Sequence, residues 1–250
     1  MFSEPWNTRT FAVHMTTTRV KYETDVDKII WSKVYSDQQY RWFLSTGLMA
    51  YGIREFRRAT IIMKLAELER EIQKRVEGDE TNGDFFHQFL LDQLVDDFRI
   101  CTYFENHMKA QLLFRGAIIH TFQKVGDDDT KRKALDKDQK NGPIRVDRIL
   151  SGELTDADLS QKTIGVRQML KESYNAAIGL PNDVRDIIRK IVDRRDKLHL
   201  KLKTGFHMNS DIAKEYRRLV EFADVWDEKI VKAFKAEPTI VDLTSTQTKS

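Results

Sequence analysis

Cysteine, proline and glycine are scarce in this chain. Its 250 residues include one Cys, 4 Pro and 11 Gly. The single cysteine, Cys101, excludes an intramolecular disulfide and a cysteine-rich zinc site. The shortage of glycine and proline disfavours an architecture of short strands and tight turns, and no series of alternating apolar residues stands out. We therefore predict an all-α protein.

Several functional motifs are also missing. The sequence has no GxGxxG, GxxxxGK[ST], HExxH or GxSxG pattern, and its 6 histidines lack metal-ligand spacing. We therefore predict no metal and no cofactor. The first residues lack the apolar core of a secretory signal, and no stretch reaches the roughly 18 apolar residues of a membrane span. These features predict a cytoplasmic protein with no membrane partner.

The pattern of apolar residues divides the chain into four parts. We predict that residues 1–24 form an extended N-terminal arm and that residues 237–250 form a disordered tail. Residues 25–82 predict an N-terminal helical region, with a helix cap near Asp37 and a polar loop at its end. Residues 83–236 predict a helical bundle with a charged, mobile segment at 126–142; its helices are expected at about 84–124, 143–150, 161–178, from 182 onward, and 210–236.

The helix that begins near Asn182 carries polar residues on its apolar face. That face is formed at about 100° per residue by Val184, Ile187, Ile188, Ile191 and Leu198. Arg195 projects from the same face and His199 lies one turn beyond it, whereas Arg194 lies at the edge. Because a buried charge is costly unless it is paired, Arg195 should have a partner.

Glu105 is the candidate partner. It lies on the apolar stripe of the helix over 84–124, between Cys101 and Met108. Its position on the stripe predicts one of two roles. Glu105 either forms a structural ion pair with Arg195, or its carboxylate orients Arg195 or His199. Both interpretations place Glu105 against the arginine, so contact alone does not separate them. Cys101 is expected to be a core residue.

Positive charge is concentrated after Arg185. The net charge of the chain is only +3, but residues 185–203 contain eight Lys or Arg against three acids. Such a segment is either a solvated face or the electrostatic footprint of a phosphate backbone. Lys197 and Lys201 are candidate phosphate-binding residues, and Asp196 is a candidate orienting or ion-pair residue.

Arginine and histidine together suit RNA cleavage without a metal. The reaction needs a deprotonated 2′-hydroxyl, a protonated leaving 5′-oxygen and stabilisation of charge on the phosphate. Histidine transfers protons near neutral pH, and arginine presents a fork of donors to phosphate oxygens. RNA supplies its own nucleophile, so no serine or cysteine is required.

The segment from Ile187 to His199 resembles the signature helix of HEPN domains. Their hallmark is an arginine, usually followed by a polar residue, and then a histidine, with four to six residues between the arginine and the histidine. Arg195-Asp196-Lys197 is similar to the core of the abortive-infection type. The resemblance covers roughly Gly83 to Ala236 and implies a HEPN-like helical bundle, here with additional N-terminal helices.

The resemblance also implies a function. HEPN proteins are commonly dimeric, metal-independent endoribonucleases of toxin–antitoxin and phage-defence systems, with a composite site between two copies. It implies that Arg194 or Arg195 contacts phosphate and that His199 transfers protons. The family spacing favours Arg194, whereas the helical face favours Arg195.

Two functions therefore stay open. The first is a HEPN-like endoribonuclease or toxin-like effector, a homodimer with RNA and a protein partner or antitoxin. The second is a non-catalytic helical interaction or dimerisation module, in which Arg195 and Glu105 form a structural pair.

Overall fold

The computed structural model describes residues 30–126, 129–196 and 211–236. The chain divides into two units, Met1–Ile30 and Trp31–Ser250, and the elements below belong to the second. Helices dominate the described residues, so the all-α prediction is confirmed. No helix within the described ranges is long and apolar enough to cross a membrane.

The first four helices are α1 (Trp31–Ser36), α2 (Gln38–Arg57), α3 (Thr60–Met63) and α4 (Leu65–Glu77). Asp37 caps α2 as expected, because its carboxylate accepts hydrogen bonds from the backbone amides of Gln39 and Tyr40 at 2.7 and 3.3 Å. Within the helical region predicted over residues 25–82, the chain is interrupted after Arg57, where α2 ends. A residue that is remote in the sequence stabilises the interruption: the backbone amide of Ile61, near the start of α3, donates to the buried carboxylate of Asp96 at 2.7 Å.

The long central helix α5 spans Gly83–Phe114. Asn82 caps it and accepts from the amide of Phe85 at 3.2 Å. The helix ends about ten residues before the expected Lys124, because Gly116 adopts the left-handed conformation with φ +71. The amides of Gly116 and Ala117 then donate to the carbonyls of Leu113 and Leu112 at 2.9 and 2.8 Å, which closes the helix end.

A small antiparallel sheet, absent from the sequence prediction, follows α5. Strand β1 (His120–Phe122) pairs with β2 (Leu159–Thr163), and His120 lies opposite Thr163. Strands of three and five residues are too short to give a clear alternating pattern. The helix expected over 161–178 is therefore a strand end followed by two short helices, α8 (Val166–Met169) and α9 (Glu172–Ile178).

The segment expected to be mobile at 126–142 contains helix α6 (Thr130–Asn141). Leu135 and Gln139 are buried on its inner face, and the amide of Gln139 donates to the carbonyl of His120 at 2.7 Å. This inner face holds the charged helix against β1. Helix α7 (Asp147–Leu150) and a 3-10 turn (Asp156–Asp158) complete the connection to β2.

The last two described helices are α10 (Asn182–Asp196) and α11 (Ile212–Ala236). The predicted apolar face of α10 is confirmed for Val184, Ile187, Ile188 and Ile191, which are buried, whereas Leu198 lies outside the described residues. Helix α10 packs against α5 and α11, and α5 also packs against α2, α3, α8 and α9. This arrangement places the last turn of α10 beside the first half of α5.

Candidate functional site

The candidate site lies at the last turn of α10. Arg194, Arg195 and Asp196 are the final residues of that helix in the described part of the chain. The predicted proton-transfer residue His199 and the predicted phosphate-binding residues Lys197 and Lys201 lie outside the described residues. The geometry below therefore concerns the two arginines and their neighbours.

Arg194 reaches inward and forms a forked ion pair with Asp97 of α5. Its Nε lies 2.9 Å from Oδ2 and its Nη2 lies 3.1 Å from Oδ1. The side chains of Arg194 and Asp97 are 18% and 5% exposed. Two parallel hydrogen bonds to one carboxylate fix both the distance and the angle between the groups. Asp97, rather than Glu105, is therefore the buried carboxylate that meets an arginine of α10.

Tyr216 of α11 completes this pair. Its hydroxyl donates to Asp97 Oδ1 at 2.9 Å and accepts from Arg194 Nη2 and from the Gln93 amide, each at 3.2 Å. Burial raises the pKa of Tyr216 well above its ordinary value, and the negative charge of Asp97 adds to the effect. The hydroxyl therefore stays protonated as a donor. We call Gln93, Asp97, Arg194 and Tyr216 the three-helix network, because they join α5, α10 and α11.

Charge in the three-helix network is well compensated. Burial acts to lower the pKa of Arg194, but the hydrogen bonds and negative charge of Asp97, together with Glu215, raise it above its ordinary value. Removing one partner of a buried pair typically costs about 3–5 kcal/mol, because the other charge is left uncompensated. The network thus fixes the end of α10 and uses most donors of Arg194.

Arg195 has a different environment. Its Nε and Nη2 both lie 3.0 Å from Oδ1 of the adjacent Asp196, and its side chain is 21% exposed. Asp196 Oδ2 also accepts from Nε and Nη2 of Arg167 in α8, at 3.0 and 2.9 Å. Asp196, a predicted orienting or ion-pair residue, thus lies between two guanidinium groups. Arg167 also contacts Asp193 at 2.8 Å and is 58% exposed.

Glu105 pairs with Lys109 instead of Arg195. The Lys109 Nζ lies 2.6 Å from Glu105 Oε1, one turn along α5. The expected Arg195–Glu105 pair is not formed among the described residues, since Arg195 turns to Asp196 and Arg194 takes the buried carboxylate. Cys101 lies buried between these groups, and burial raises the pKa of its thiol to about 12. Its prediction as a core residue is confirmed.

Every basic residue of α10 has a carboxylate partner. Three of these partners come from other helices, so a local count of charges in the sequence does not include them. The pairs are Arg185–Glu172, Arg189–Asp186, Lys190–Glu215, Arg194–Asp97 and Arg195–Asp196. The basic segment is therefore largely neutralised within the described residues, and a phosphate would have to compete with carboxylates.

Comparison with protein-family models, with curated proteins and with solved structures found no match. Within residues 30–126, 129–196 and 211–236, no group of three or more His, Cys, Asp or Glu side chains could hold a metal ion. The functional interpretation therefore depends on the residues at the end of α10.

Sequence reasoning missed three residues of this site: Asp97, Tyr216 and Arg167. Asp97 gave a signal, because it lies one turn before Cys101 on the same stripe as Glu105. Tyr216 lies on the apolar face of α11, where its spacing indicates only burial. Arg167 gave no signal, since it meets Asp196 only through the folding of α8 against α10.

Proposed function

We propose that this protein is a HEPN-like, metal-independent endoribonuclease. The observation that carries the proposal is the division between the two arginines at the end of α10. Arg194 is held in the three-helix network, whereas the carboxylate that Arg195 meets among the described residues is the partly exposed Asp196, which also meets a second arginine, Arg167. In this proposal Arg194 positions the helix end and Arg195 contacts the RNA phosphate.

The proposed reaction uses the RNA's own 2′-hydroxyl. The hydroxyl oxygen attacks the adjacent phosphorus, the bond to the 5′-oxygen breaks, and the products are a 2′,3′-cyclic phosphate and a 5′-hydroxyl. His199 is proposed to move a proton in this exchange, because imidazole titrates near neutral pH. Arg195 is proposed to stabilise the added negative charge on the phosphate, with Lys197 and Lys201 contacting neighbouring phosphates.

The wider setting is proposed from the resemblance. Two copies would bring their α10 ends together in a shared cleft, and the protein would act in the cytoplasm as a defence or stress effector. A protein partner such as an antitoxin would restrain it.

One observation favours a second candidate, a non-catalytic helical interaction module. The ion pairs of α10 neutralise each of its described basic residues, which is what a structural helix needs and a phosphate-binding helix does not. In this second candidate, the three-helix network provides the structural ion pair that was predicted for Arg195 and Glu105.

Incubation of the purified protein with RNA in EDTA separates these two functions. The nuclease proposal expects cleavage in EDTA and its loss in His199→Ala. Arg195→Ala should lower kcat/KM by about a hundredfold or more, as expected when a donor to transition-state charge is removed, with little change in melting temperature. Arg189→Ala is the matched control, because Arg189 is also an arginine of α10 that pairs with an aspartate of the same helix.

No cleavage, or equal cleavage by the His199→Ala variant, would reject the nuclease. An Arg195→Ala variant that loses stability and activity together would favour the interaction module, because that residue would then act through the fold.

A further inference from the structure

Helix α2 is apolar on both of its faces. Its inner face packs against α5 through buried residues that include Met49, Gly52 and Phe56. On its outer face, Tyr40, Phe43 and Tyr51 are 46%, 56% and 47% exposed. A helix at the surface of a protein normally presents polar residues to water. The outer face of α2 therefore has the composition of a surface that is buried in an assembly.

The same face contains both projections and a hollow. Phe43 and Tyr51 flank Gly47, two turns apart, and an open groove of about 430 Å³ lies between them. A Cβ atom at Gly47 would have no other atom within 4 Å. The groove is also lined by Leu44, Leu48 and, from α5, Asn106. A glycine between two flanking aromatic side chains lets the same helix of a second copy approach closely, and the patch can therefore pair with itself, as a two-fold interface requires.

We propose that this surface, the α2 patch, is the interface between two copies of the chain, with their α2 helices antiparallel and crossing at Gly47. In that arrangement Phe43 of each copy lies beside Tyr51 of the other, and Tyr40 lies beside Arg54. Exposed aromatic pairs and an arginine over an aromatic ring are both favourable contacts.

Charge does not oppose this pairing. The stripe formed by residues 40, 43, 47, 50, 51 and 54 carries a single charge, Arg54, which lies over the Tyr51 ring at 4.6 Å. Arg54 is also paired with Glu55 at 3.4 Å. In the antiparallel arrangement the two Arg54 positions are about 21 Å apart at a rise of 1.5 Å per residue, so their repulsion is screened.

The size of the α2 patch predicts a weak dimer. An aromatic side chain buries about 150–250 Å², and roughly half of this remains exposed on each of the three rings. The rings thus supply about 300 Å² per copy, and with their neighbours the total approaches the low end of specific interfaces, about 1,000 Å². The dimer should therefore form reversibly and depend on concentration.

The α2 patch is separate from the arginine site. Asn106 follows Asp97 by nine residues, which places it about 180° around α5 at 100° per residue. A dimer through α2 leaves Arg195 uncovered, so this inference does not depend on the proposed nuclease function. If two copies also meet at their α10 ends, the chain would form larger assemblies through two different faces.

Cysteine cross-linking of the full-length chain tests the crossing point. In Gly47→Cys the two new thiols face each other, and the native Cys101 is buried with a raised pKa. A mild oxidant should therefore convert most of the dimer into a disulfide-linked species, since a disulfide requires Cα atoms within about 7 Å. Val76→Cys, at a position 68% exposed on α4, is the matched control and should stay monomeric on a reducing-agent-free gel.

A second substitution assigns the cross-link to the α2 patch. Phe43→Glu in the Gly47→Cys background should reduce cross-linking at least tenfold, because it buries two like charges. Phe98→Glu, which changes a phenylalanine on α5 that is about half exposed, should leave cross-linking unchanged. Equal effects of the two substitutions, or equal cross-linking at positions 47 and 76, would overturn the proposal.

Gly47→Leu provides a test that a loss of folding cannot imitate. Leucine is a better helix former than glycine and has free space within one copy, so the melting temperature should stay equal or rise. The same leucine fills the hollow, so sedimentation equilibrium should show dimerisation weakened about tenfold or more. A native chain that is monomeric at every concentration would overturn the proposal, as expected if residues 1–29 or a different protein covers the patch.

Discussion

Acidification should destabilise the fold through His120. This histidine is 2% exposed and its ring lies 4.2 Å from that of Trp31. Its Nδ1 shares a hydrogen bond with the hydroxyl of Tyr35, which also accepts from the amide of Ile119 at 3.0 Å. We assign the hydroxyl as the donor to Nδ1 of the neutral imidazole, so protonation of Nδ1 would remove the acceptor.

The magnitude follows from the pKa. Burial, with a contribution from the charge of Lys109, lowers the pKa of His120 from 6.5 to about 4. Between these pH values the unfolded chain binds the His120 proton more readily than the folded chain does. The contribution of His120 to stability is therefore complete above pH 6.5 and is lost as the pH falls toward 4. A difference of two to three pKa units corresponds to about 3 kcal/mol of unfolding free energy.

Urea unfolding measured from neutral pH down to about pH 4 checks this value by linkage. His120→Gln should be less stable at neutral pH, and its free energy of unfolding should decline less steeply with acid. His87→Gln is the control, because His87 is exposed on α5 and its removal should leave the wild-type slope unchanged. An imidazole NMR titration of His120 with a midpoint near 6.5, or identical slopes for wild type and His120→Gln, would refute the reasoning.

Three further predictions concern other parts of the fold. Asp97→Asn should lower the free energy of unfolding by about 3–5 kcal/mol in denaturant titrations, because it leaves Arg194 buried without its counter-charge. Gly52→Ala should destabilise the protein, since a Cβ there would lie 3.0 Å from Nδ1 of His107 in α5. Gly47→Ala should instead stabilise the protein by up to about 1 kcal/mol, because alanine is the better helix former and has free space there. Equal melting temperatures of the two variants would contradict both expectations. Asp196→Asn should bind 2′-O-methyl RNA several-fold more tightly in a fluorescence anisotropy assay, because it releases Arg195; weaker binding would contradict the assignment of that arginine.

The helical periodicity of the sequence predicted the parts of the fold that depend on local pattern. The buried face of α10 and the cap at Asp37 were both evident, because each depends on residues within one or two turns. The end of α5 depends on the left-handed conformation of Gly116. The sequence does not show which of the glycines adopts that conformation. The strands were missed because they are short and gain their stability from pairing across the chain.

The candidate site was predicted less well than the fold. A spacing of 100° per residue places Arg195 in line with Ile191, but an arginine is long enough to reach sideways from the edge of a helix. Arg194 does so and meets Asp97, which is 97 residues away in sequence. The carboxylate partner of Arg194 could not be identified from one sequence. The choice between Asp97 and Glu105 depends on the position of α10 along the axis of α5.

The three-helix network also determines how the end of α10 opens. The last turn of a helix usually frays, and its amide protons exchange with water quickly. Here the fork of Arg194 on Asp97 joins that turn to two other helices, so the turn cannot open without breaking the network. Amide protons near Arg194 should therefore exchange as slowly as those of the core.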